Sequence, residues 1–450
     1  MSEAAIPSIA ELRRAIATGR RTVDEALDLQ REAFGRGAAL HRCVVEHAHA
    51  SQPVARAPLS GIAMAHKDVF HTGLRAAGQG RPSGSQAGAT TAAASAALQR
   101  LAAQGASYLG ALAMAEFACG ATAENPHFVA PLNPLDPAAA VGGSSSGSAV
   151  AVAAGLCRAS LGTDTAGSVR IPASTCGVVG FKPGPGAIDA RGVSPLAPSL
   201  DTVGVIARSV SDAAHVFAAL QPDEAPLAQC LASPEGIEQA LSRHRPWRVA
   251  SALDQPDLRD DVAHRLGRFE SRATSRAVAW RRIALRGLEP LSCLAQVVLH
   301  VEAALTHAHS ARHALDSLAP ITQAIVLPGW AVPAAWYRHA REARAAWRDA
   351  FVAAHLAQAD VLLLPSLPRG VPDARAVTTT ADGFDPRELV ALHRYHAFAN
   401  YLGLPALSFP VGTDARGRPV CIQALAAPGN EAGLLAFGHQ FAATASPLLH

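Results

Sequence analysis

The chain opens with apolar residues at helical spacing, and each run follows a capping signature. Ser8 and Thr22 are each followed, three positions later, by a glutamate, Glu11 and Glu25 respectively. Such a pair, known as the capping box, satisfies free N–H groups at the start of a helix. The sequence therefore predicts two helices within the N-terminal part, residues 1–55.

A continuous apolar run then follows a proline-bearing turn and ends at Lys67. Short apolar runs bounded by turn residues are typical of buried strands. Further helices are predicted at 89–104, 149–155, 210–222, 388–400 and 430–443, further strands at 105–110, 157–161, 361–365, 403–411 and 419–425, and a helical region at 235–360. Strands near both ends of the chain, with helices between them, predict one α/β domain whose mixed sheet is completed by C-terminal strands.

Two loops rich in glycine and serine, Gly142–Ser148 and Gly162–Ser168, interrupt this alternation. One interpretation of the first loop is that its serines cap the helix that follows. Another is a nucleophile elbow with Ser145 as nucleophile, although prolines occupy the place where an elbow needs a strand. Phosphate binding is disfavoured because no Lys-Ser or Lys-Thr pair follows the glycines. In the second loop, small residues let backbone N–H groups face a ligand closely, as an oxyanion hole requires.

The basic residues are almost all arginine. Of the 39 basic residues only Lys67 and Lys182 are lysine, a bias typical of a GC-rich coding sequence. Arginine serves as a surface cation, but its pKa above about 12 prevents it from releasing a proton. A lysine retained in such a chain indicates a position that needs a neutral amine or the shape of that side chain.

Composition narrows the class of protein. A chain of 450 residues, 49% of them hydrophobic, is able to bury a large core. The net charge of +3, without runs of like charge, does not indicate a nucleic-acid partner. The first residues lack the pattern of a signal peptide, and no uninterrupted apolar stretch is long enough for a membrane span. The seven cysteines form no C-x-x-C pair, which is typical of free thiols. We therefore expect a cytoplasmic protein without a membrane partner.

Five segments together resemble the amidase signature family. They are Ala65–Asp68, Gly142–Ala149, Gly162–Ala173, Cys176–Pro183 and Leu402–Gly412. The resemblance implies one large α/β domain over 1–450, with a mixed central β-sheet covered by helices on both faces. Its expected parts are the N-terminal helices (1–55), a signature core (56–222), a variable helical substrate region (225–350) and C-terminal strands and helices (355–450).

The resemblance also implies a Ser–cisSer–Lys triad for hydrolysis of an amide. Ser168 is then the acylated nucleophile, Ser144 the bridging serine after a cis peptide bond from Gly143, and Lys67 the base. Lysine acts as a base only if burial away from carboxylates lowers its pKa from about 10.4 towards neutrality. The expected substrate is a small-molecule amide that is cleaved to an acid and ammonia or an amine.

Other roles are implied for residues close to the triad. The backbone N–H groups of Thr165, Ala166, Gly167 and Ser168 are the expected oxyanion hole. Thr163 is expected to help hold the lysine head, and Asp164 and Arg170 to brace the loop. No cofactor and no metal ion are expected, and a homodimer is possible.

The chain departs from the family pattern at several positions. Ser146 and Ala166 stand where the family commonly has glycine, and an alanine at 166 is tolerable if its φ is negative. The segment Gly110-Ala-Leu-Ala-Met114 replaces a more polar family sequence, so we expect a more apolar leaving-amine end. Lys182 is expected to be structural.

Two histidine groups are candidates for functional residues. His300, His307, His309 and His313 fall on one predicted helix, where a solvated helix face is favoured over a metal site. His393 and His396 are candidate pocket residues, with a surface or core role favoured.

Two other functions compete with a stand-alone amidase. One is the glutaminase subunit of a tRNA-dependent amidotransferase, which feeds ammonia to a partner. Between 290 and 350 the chain lacks the Tyr-Tyr and Ala-Arg-Tyr-Asp-Gly signatures of that glutaminase. The other is a non-catalytic binding protein on an amidase fold, which the presence of all three triad residues disfavours.

Overall fold

A mixed sheet of eleven strands forms the centre of the computed structural model, which describes residues 6–48, 56–82, 93–243 and 245–442. The strands are β1 (Val44–His47), β2 (Ala63–Lys67), β3 (Ser107–Leu112), β4 (Ala159–Asp164), β5 (Val179–Lys182), β6 (Thr202–Ala207), β7 (Arg248–Ser251), β8 (Ala279–Arg282), β9 (Val361–Pro365), β10 (Ala406–Thr413) and β11 (Pro419–Leu425). Their order across the sheet is β1-β3-β2-β4-β6-β5-β10-β11-β9-β7-β8.

The sheet joins distant parts of the chain. Strand β2 lies between β3 and β4 and is parallel to both. Strand β10 is antiparallel to β5 on one side and to β11 on the other. The C-terminal strands thus extend a sheet that the first half of the chain begins, as the sequence predicted.

Helices pack on this sheet and supply the remaining core. They are α1 (Ile9–Ala17), α2 (Val23–His41), α3 (Ala96–Ala103), α4 (Ser146–Ala153), α5 (Arg170–Thr175), α6 (Val210–Leu220), α7 (Pro226–Gln229), α8 (Gly236–Ser242), α9 (Asp260–Ala273), α10 (Leu288–Thr306), α11 (Ala308–His313), α12 (Pro320–Val326), α13 (Ala334–Glu342), α14 (Arg344–His355), α15 (Ala374–Val377), α16 (Pro386–His393), α17 (Ala397–Leu402) and α18 (Glu431–Ala442). Both predicted capping boxes are present, at the starts of α1 and α2.

Alternate residues of β2 belong to two different apolar clusters. Ala63 and Ala65 pack in a cluster with α2 and α4. Met64 belongs to a larger cluster that includes residues of α1, α3, α6 and α10. Because side chains of a strand alternate between its two faces, helices cover the sheet on both faces, as predicted.

The region at 235–360, predicted to be helical, is mostly helical but also contains two strands that were not predicted. Strands β7 and β8 lie within it and form the far edge of the sheet beside β9. Each has only four residues and includes arginine. Runs this short and polar carry too little of the apolar pattern by which strands are recognised. Strands β1, β5 and β6 were not predicted either.

Several predicted boundaries also differ. The single helix predicted at 388–400 is two helices in the structure, because residues 394–396 interrupt it between α16 and α17. At this break Tyr395 donates a hydrogen bond to Asp257 at 2.6 Å. The first helical turn of α4 begins at Ser146, three residues before the predicted start. Residues 89–92 and 443 of two predicted helices lie outside the described residues.

Among the described residues one helix, α10, is long and apolar enough by length and composition to cross a membrane. It packs against α13 and α17. Its Glu302 is buried and accepts hydrogen bonds from Ser199 and Arg341. Core helices of globular proteins satisfy the same criterion, and the contacts of α10 are those of a core helix.

Candidate active site

Lys67 lies at the C-terminal end of β2 and is completely buried. Its Nζ is 2.8 Å from the Oγ of Ser144 and 2.9 Å from the Oγ1 of Thr163. No ion pair among the described residues includes Lys67. The side chain therefore ends between two neutral hydroxyl groups.

Burial lowers the pKa of Lys67 from 10.5 to about 7, although the nearby carboxylates of Asp201 and Asp164 act in the opposite direction. An ammonium ion without a paired carboxylate loses its hydration on burial, which favours the neutral amine. At neutral pH a substantial fraction of Lys67 is therefore able to accept a proton.

Ser144 follows a cis peptide bond from Gly143. The Ser144 carbonyl accepts a hydrogen bond from the N–H of Ala115 at 3.2 Å. A Cβ at Gly143 would lie only 2.0 Å from the carbonyl oxygen of Thr122. Only glycine permits so close an approach of two backbones, so this glycine is needed to bring Ser144 to Lys67.

The other serines of this loop have different partners. The Oγ of Ser145 donates to the Thr163 carbonyl at 3.3 Å, and that of Ser146 donates to the Ala113 carbonyl at 3.3 Å. Neither serine caps α4 with its side chain. The capping interpretation of the loop was therefore wrong. The Ser145 hydroxyl instead bonds to the backbone of the second loop, at Thr163.

The second loop connects β4 to α5 and carries Ser168. The carbonyl of Ser168 accepts a hydrogen bond from the N–H of Ser145 at 3.2 Å, and this bond joins the two loops. Ser168 is 8% exposed, whereas Ser144 and Lys67 are fully buried. Of the three predicted triad residues, Ser168 is thus the one that reaches towards solvent.

Asp164 organises the backbone around Ser168. Its Oδ1 accepts from the N–H of Gly167 at 2.8 Å and its Oδ2 from that of Val169 at 3.1 Å. Arg170 forms a fully buried ion pair with the same carboxylate, with Nη2 2.9 Å from Oδ1. Burial alone would raise the pKa of Asp164, but Arg170, Lys182 and the Asn400 amide together more than offset this and hold the pKa below its usual range. These contacts tie the backbone on both sides of Ser168 to the Asp164–Arg170 ion pair.

The predicted set of oxyanion donors needs one correction. The N–H of Gly167 is already bonded to Asp164. Within the described ranges, the N–H groups of Thr165, Ala166 and Ser168 make no hydrogen bond. The φ of Ala166 is not positive, so its side chain is tolerated there, whereas Gly167 has a φ of 123°. Of the four N–H groups in the predicted set, that of Gly167 is therefore occupied and the other three are without a hydrogen bond in this part of the structure.

Sequence reasoning missed the C-terminal contribution to this loop. Asn400 donates to the carbonyl of Asp164 at 2.7 Å, and Gln423 accepts from Arg170 at 2.5 Å. His396 is fully buried, and its carbonyl accepts from Arg170 at 3.3 Å. The role of His396 is therefore in the core, as favoured from the sequence. Only a long-range contact map identifies such residues, because nothing in the neighbouring sequence marks them.

The prediction of a solvated histidine face was wrong for His307. This residue is 6% exposed and stacks on Phe117, with ring centroids 4.3 Å apart. Burial lowers its pKa to about 4. In the described part of the chain no group of His, Cys, Asp or Glu residues is arranged to hold a metal ion.

Lys182 is also fully buried, and its Nζ donates to the carbonyl of Pro183 at 2.9 Å. Burial lowers its pKa to about 7. It makes no hydrogen bond to either serine loop among the described residues, in keeping with a structural role.

Cavities formed by described residues lie elsewhere on the molecule. One of about 430 Å³ includes Thr122 and Val141 in its lining, and another of about 290 Å³ includes His66 and Tyr108. Neither is lined by Lys67, Ser144 or Ser168. The geometry does not identify either cavity as the place where an amide meets Ser168.

Comparisons with known proteins agree with one another. The sequence profile of the family called Amidase matches residues 44–435. A subunit of the glutamyl-tRNA(Gln) amidotransferase of Synechococcus sp. (strain CC9311) is 33% identical over 85% of this chain and 83% of its own. The AtzE chain of the 1-carboxybiuret hydrolase of Pseudomonas sp. (strain ADP) is 31% identical over 76% of this chain and 75% of its own. A crystal structure of an amidase superposes with a TM-score of 0.81 at 29% identity, covering 98% of this chain and 100% of that one.

Proposed function

We propose that this chain, which belongs to the amidase family of amide-hydrolysing enzymes, cleaves a carboxamide C–N bond through an acyl-enzyme on Ser168. The products are a carboxylic acid and ammonia or an amine. Ser144 carries protons between Ser168 and Lys67, and no cofactor takes part.

One observation carries this proposal: the buried amine of Lys67 ends between two hydroxyl oxygens, 2.8 Å and 2.9 Å away, without a carboxylate partner. A serine hydroxyl is a weak nucleophile until a base removes its proton. An amine with a pKa near 7 accepts that proton at neutral pH. An ion-paired lysine would not.

The proposed proton path uses only the side chains of Ser168, Ser144 and Lys67, and a hydrogen bond of 2.8 Å between Lys67 and Ser144 supports its second step. As the Ser168 oxygen attacks the amide carbonyl, its proton passes to the Ser144 oxygen, and the Ser144 proton passes to Lys67. The amide C–N bond then breaks, and the leaving nitrogen takes a proton back along the same path. Water repeats the attack on the ester of Ser168, which releases the acid and restores all three groups.

The oxyanion that forms in both steps needs donors near Ser168. The free backbone N–H groups of Thr165, Ala166 and Ser168 support this role, because donors in a site shielded from water stabilise developing negative charge strongly. The Oγ1 of Thr163 accepts a hydrogen bond from the Nζ of Lys67 and so restrains the base.

A fluorophosphonate probe and intact-mass spectrometry test the nucleophile directly. We expect one adduct on Ser168 in the unmodified protein and none in Ser168→Ala. Lys67→Ala and Ser144→Ala should label at least about 100-fold more slowly, since removing a general base typically costs about two to four powers of ten. A Ser168→Ala protein that still turns over an amide would overturn the proposal.

Ser145→Ala is the matched control. Ser145 is next to Ser144 in the chain, but its hydroxyl donates only to the backbone carbonyl of Thr163. It should label at Ser168 as the unmodified protein does. Loss of labelling in this variant alone would favour the nucleophile elbow. Absence of any adduct in the folded, unmodified protein would favour a non-catalytic binding protein.

A second candidate is a glutaminase that works within a larger complex, because one relative is named as part of a glutamyl-tRNA(Gln) amidotransferase. Glutamine hydrolysis that appears only when a candidate partner is added would favour it. A panel of primary aliphatic, aryl and urea-derived amides, with ammonia release as readout, narrows the substrate. We also propose a cytoplasmic location, which all seven cysteines, being free thiols, support.

A further inference from the structure

Asn400 lies in α17, in the C-terminal third of the chain, and is 1% exposed. Its Nδ2 donates to the Asp164 carbonyl at 2.7 Å and to the Oδ1 of Asp164 at 3.0 Å. Its Oδ1 accepts from the Nη2 of Arg170 at 2.6 Å. One amide side chain therefore contacts both members of the buried ion pair.

Asp164 in turn fixes the backbone on either side of Ser168. Its two carboxylate oxygens hold the N–H groups of Gly167 and Val169. A rotation of this carboxylate would shift both neighbours of Ser168 and the orientation of its hydroxyl. Asn400 opposes such a rotation because its Nδ2 donates hydrogen bonds to both the main-chain carbonyl and the side-chain carboxylate of Asp164.

We propose that Asn400 is a positioning residue for Ser168, acting through Asp164 on the loop that presents the nucleophile. The inference rests on the proposed function, in which Ser168 is acylated. It adds a requirement that the family resemblance did not supply: an amide at position 400, with its N–H₂ group towards Asp164 and its oxygen towards Arg170.

The chemistry of the position favours an amide over its isosteres. Aspartate would keep the acceptor for Arg170 but would place a second carboxylate 3.0 Å from that of Asp164. Leucine or alanine would remove one donor from the Asp164 carbonyl, one donor from its Oδ1 and one acceptor from Arg170, and such losses are costly in a low-dielectric interior. The charged or titratable groups that contact Asn400 or lie around Asp164 are Lys67, Asp164, Arg170, Lys182, Arg344 and His396.

The first test separates positioning from binding. Asn400→Ala removes hydrogen bonds to an anionic group, and loss of such bonds corresponds to about a 10- to 100-fold effect. We expect kcat on a good amide substrate to fall by this amount, with KM changed by less than about twofold. A variant that melts lower but has normal kcat when folded would overturn the inference.

Asn400→Asp supplies a signature that a merely structural role would not give. When the introduced carboxyl is protonated, it donates to Asp164 as the amide does. When it is ionised, it repels Asp164. The activity of this variant relative to the unmodified enzyme should therefore fall as pH rises from 5 to 9, by about tenfold or more. A ratio that is constant with pH would overturn the inference.

Gln30→Glu is the matched control, because Gln30 is also a fully buried amide that bonds to backbone carbonyls, those of Ala26 and Gly61. Its activity ratio should not change with pH in the way predicted for Asn400→Asp. The same pH trend in both variants would mean that the effect is general and would also overturn the inference. Ser168→Ala, measured alongside, reports on the proposed function separately.

Discussion

Replacing Lys67 with methionine should make the protein more stable at neutral pH. The pKa of Lys67 falls from 10.5 in a solvated chain to about 7 on folding. Each unit between two such values corresponds to about 1.4 kcal/mol. Protonated Lys67 is thus disfavoured in the folded state by about 5 kcal/mol. Methionine fills a similar volume without a charge.

The pH dependence gives the sign of the effect. Between pH 7 and pH 10.5 the unfolded chain binds the proton and the folded chain does not. The free energy of unfolding therefore rises with pH through this window, and the destabilisation is complete below it. Lys67→Met also loses hydrogen bonds to Ser144 and Thr163, worth about 1 kcal/mol each, at every pH. We expect a gain of about 2 kcal/mol at pH 7 and a loss near pH 10.

Urea unfolding followed by tryptophan fluorescence, at several pH values between 7 and 10, measures this difference. The free-energy difference between the two proteins should change by about 3 to 4 kcal/mol across the range. Ser146→Ala removes a buried hydroxyl from the loop that carries Ser144. Its free energy of unfolding should differ from that of the unmodified protein by an amount that is constant with pH. A constant difference for Lys67→Met as well would refute the claim that Lys67 is buried as a neutral amine.

Three further predictions concern the nucleophile loop and its base. The kcat/KM for a neutral amide should rise about tenfold per pH unit below about 7 and level off above it, as Lys67 loses its proton; a profile that falls through this range would contradict the assignment. Asp164→Asn leaves Arg170 buried without its partner and should lower the free energy of unfolding by about 3 to 5 kcal/mol in urea. Gly167→Ala places a Cβ 2.7 Å and 2.8 Å from neighbouring side-chain carbons, at a φ of 123°. Its activity should therefore fall at least about tenfold, whereas the activity of Ala166→Gly should remain within about twofold of the unmodified enzyme.

The sequence was sufficient for the parts of the molecule that lie in contiguous motifs. Lys67 ends an apolar run, and Ser144 and Ser168 lie in loops of small residues. Physical requirements act there on neighbours in the chain, so close backbone approach and the bends of both loops leave a local signature. The capping boxes of α1 and α2 were predictable for the same reason.

What the sequence could not supply depends on contacts between distant residues. Asn400 is 236 positions from Asp164, and no local pattern connects them. His307 looked like one of several solvated histidines until Phe117 was found stacked on it. Strand β7 owes its form to pairing with β9, and β8 to pairing with β7. Tertiary contacts, rather than local propensity, decide all three cases.

The position of β10 in the sheet has a consequence for biosynthesis. When the first half of the chain has emerged from the ribosome, all three residues of the proposed triad have been synthesised, but β5 still lacks its neighbour β10. An open edge of this kind invites pairing with other chains, and Arg170 at that stage has neither Asn400 nor Gln423 to bind. We therefore expect truncated translation products to be inert and prone to self-association, with hydrolytic competence arriving only as the last strands emerge.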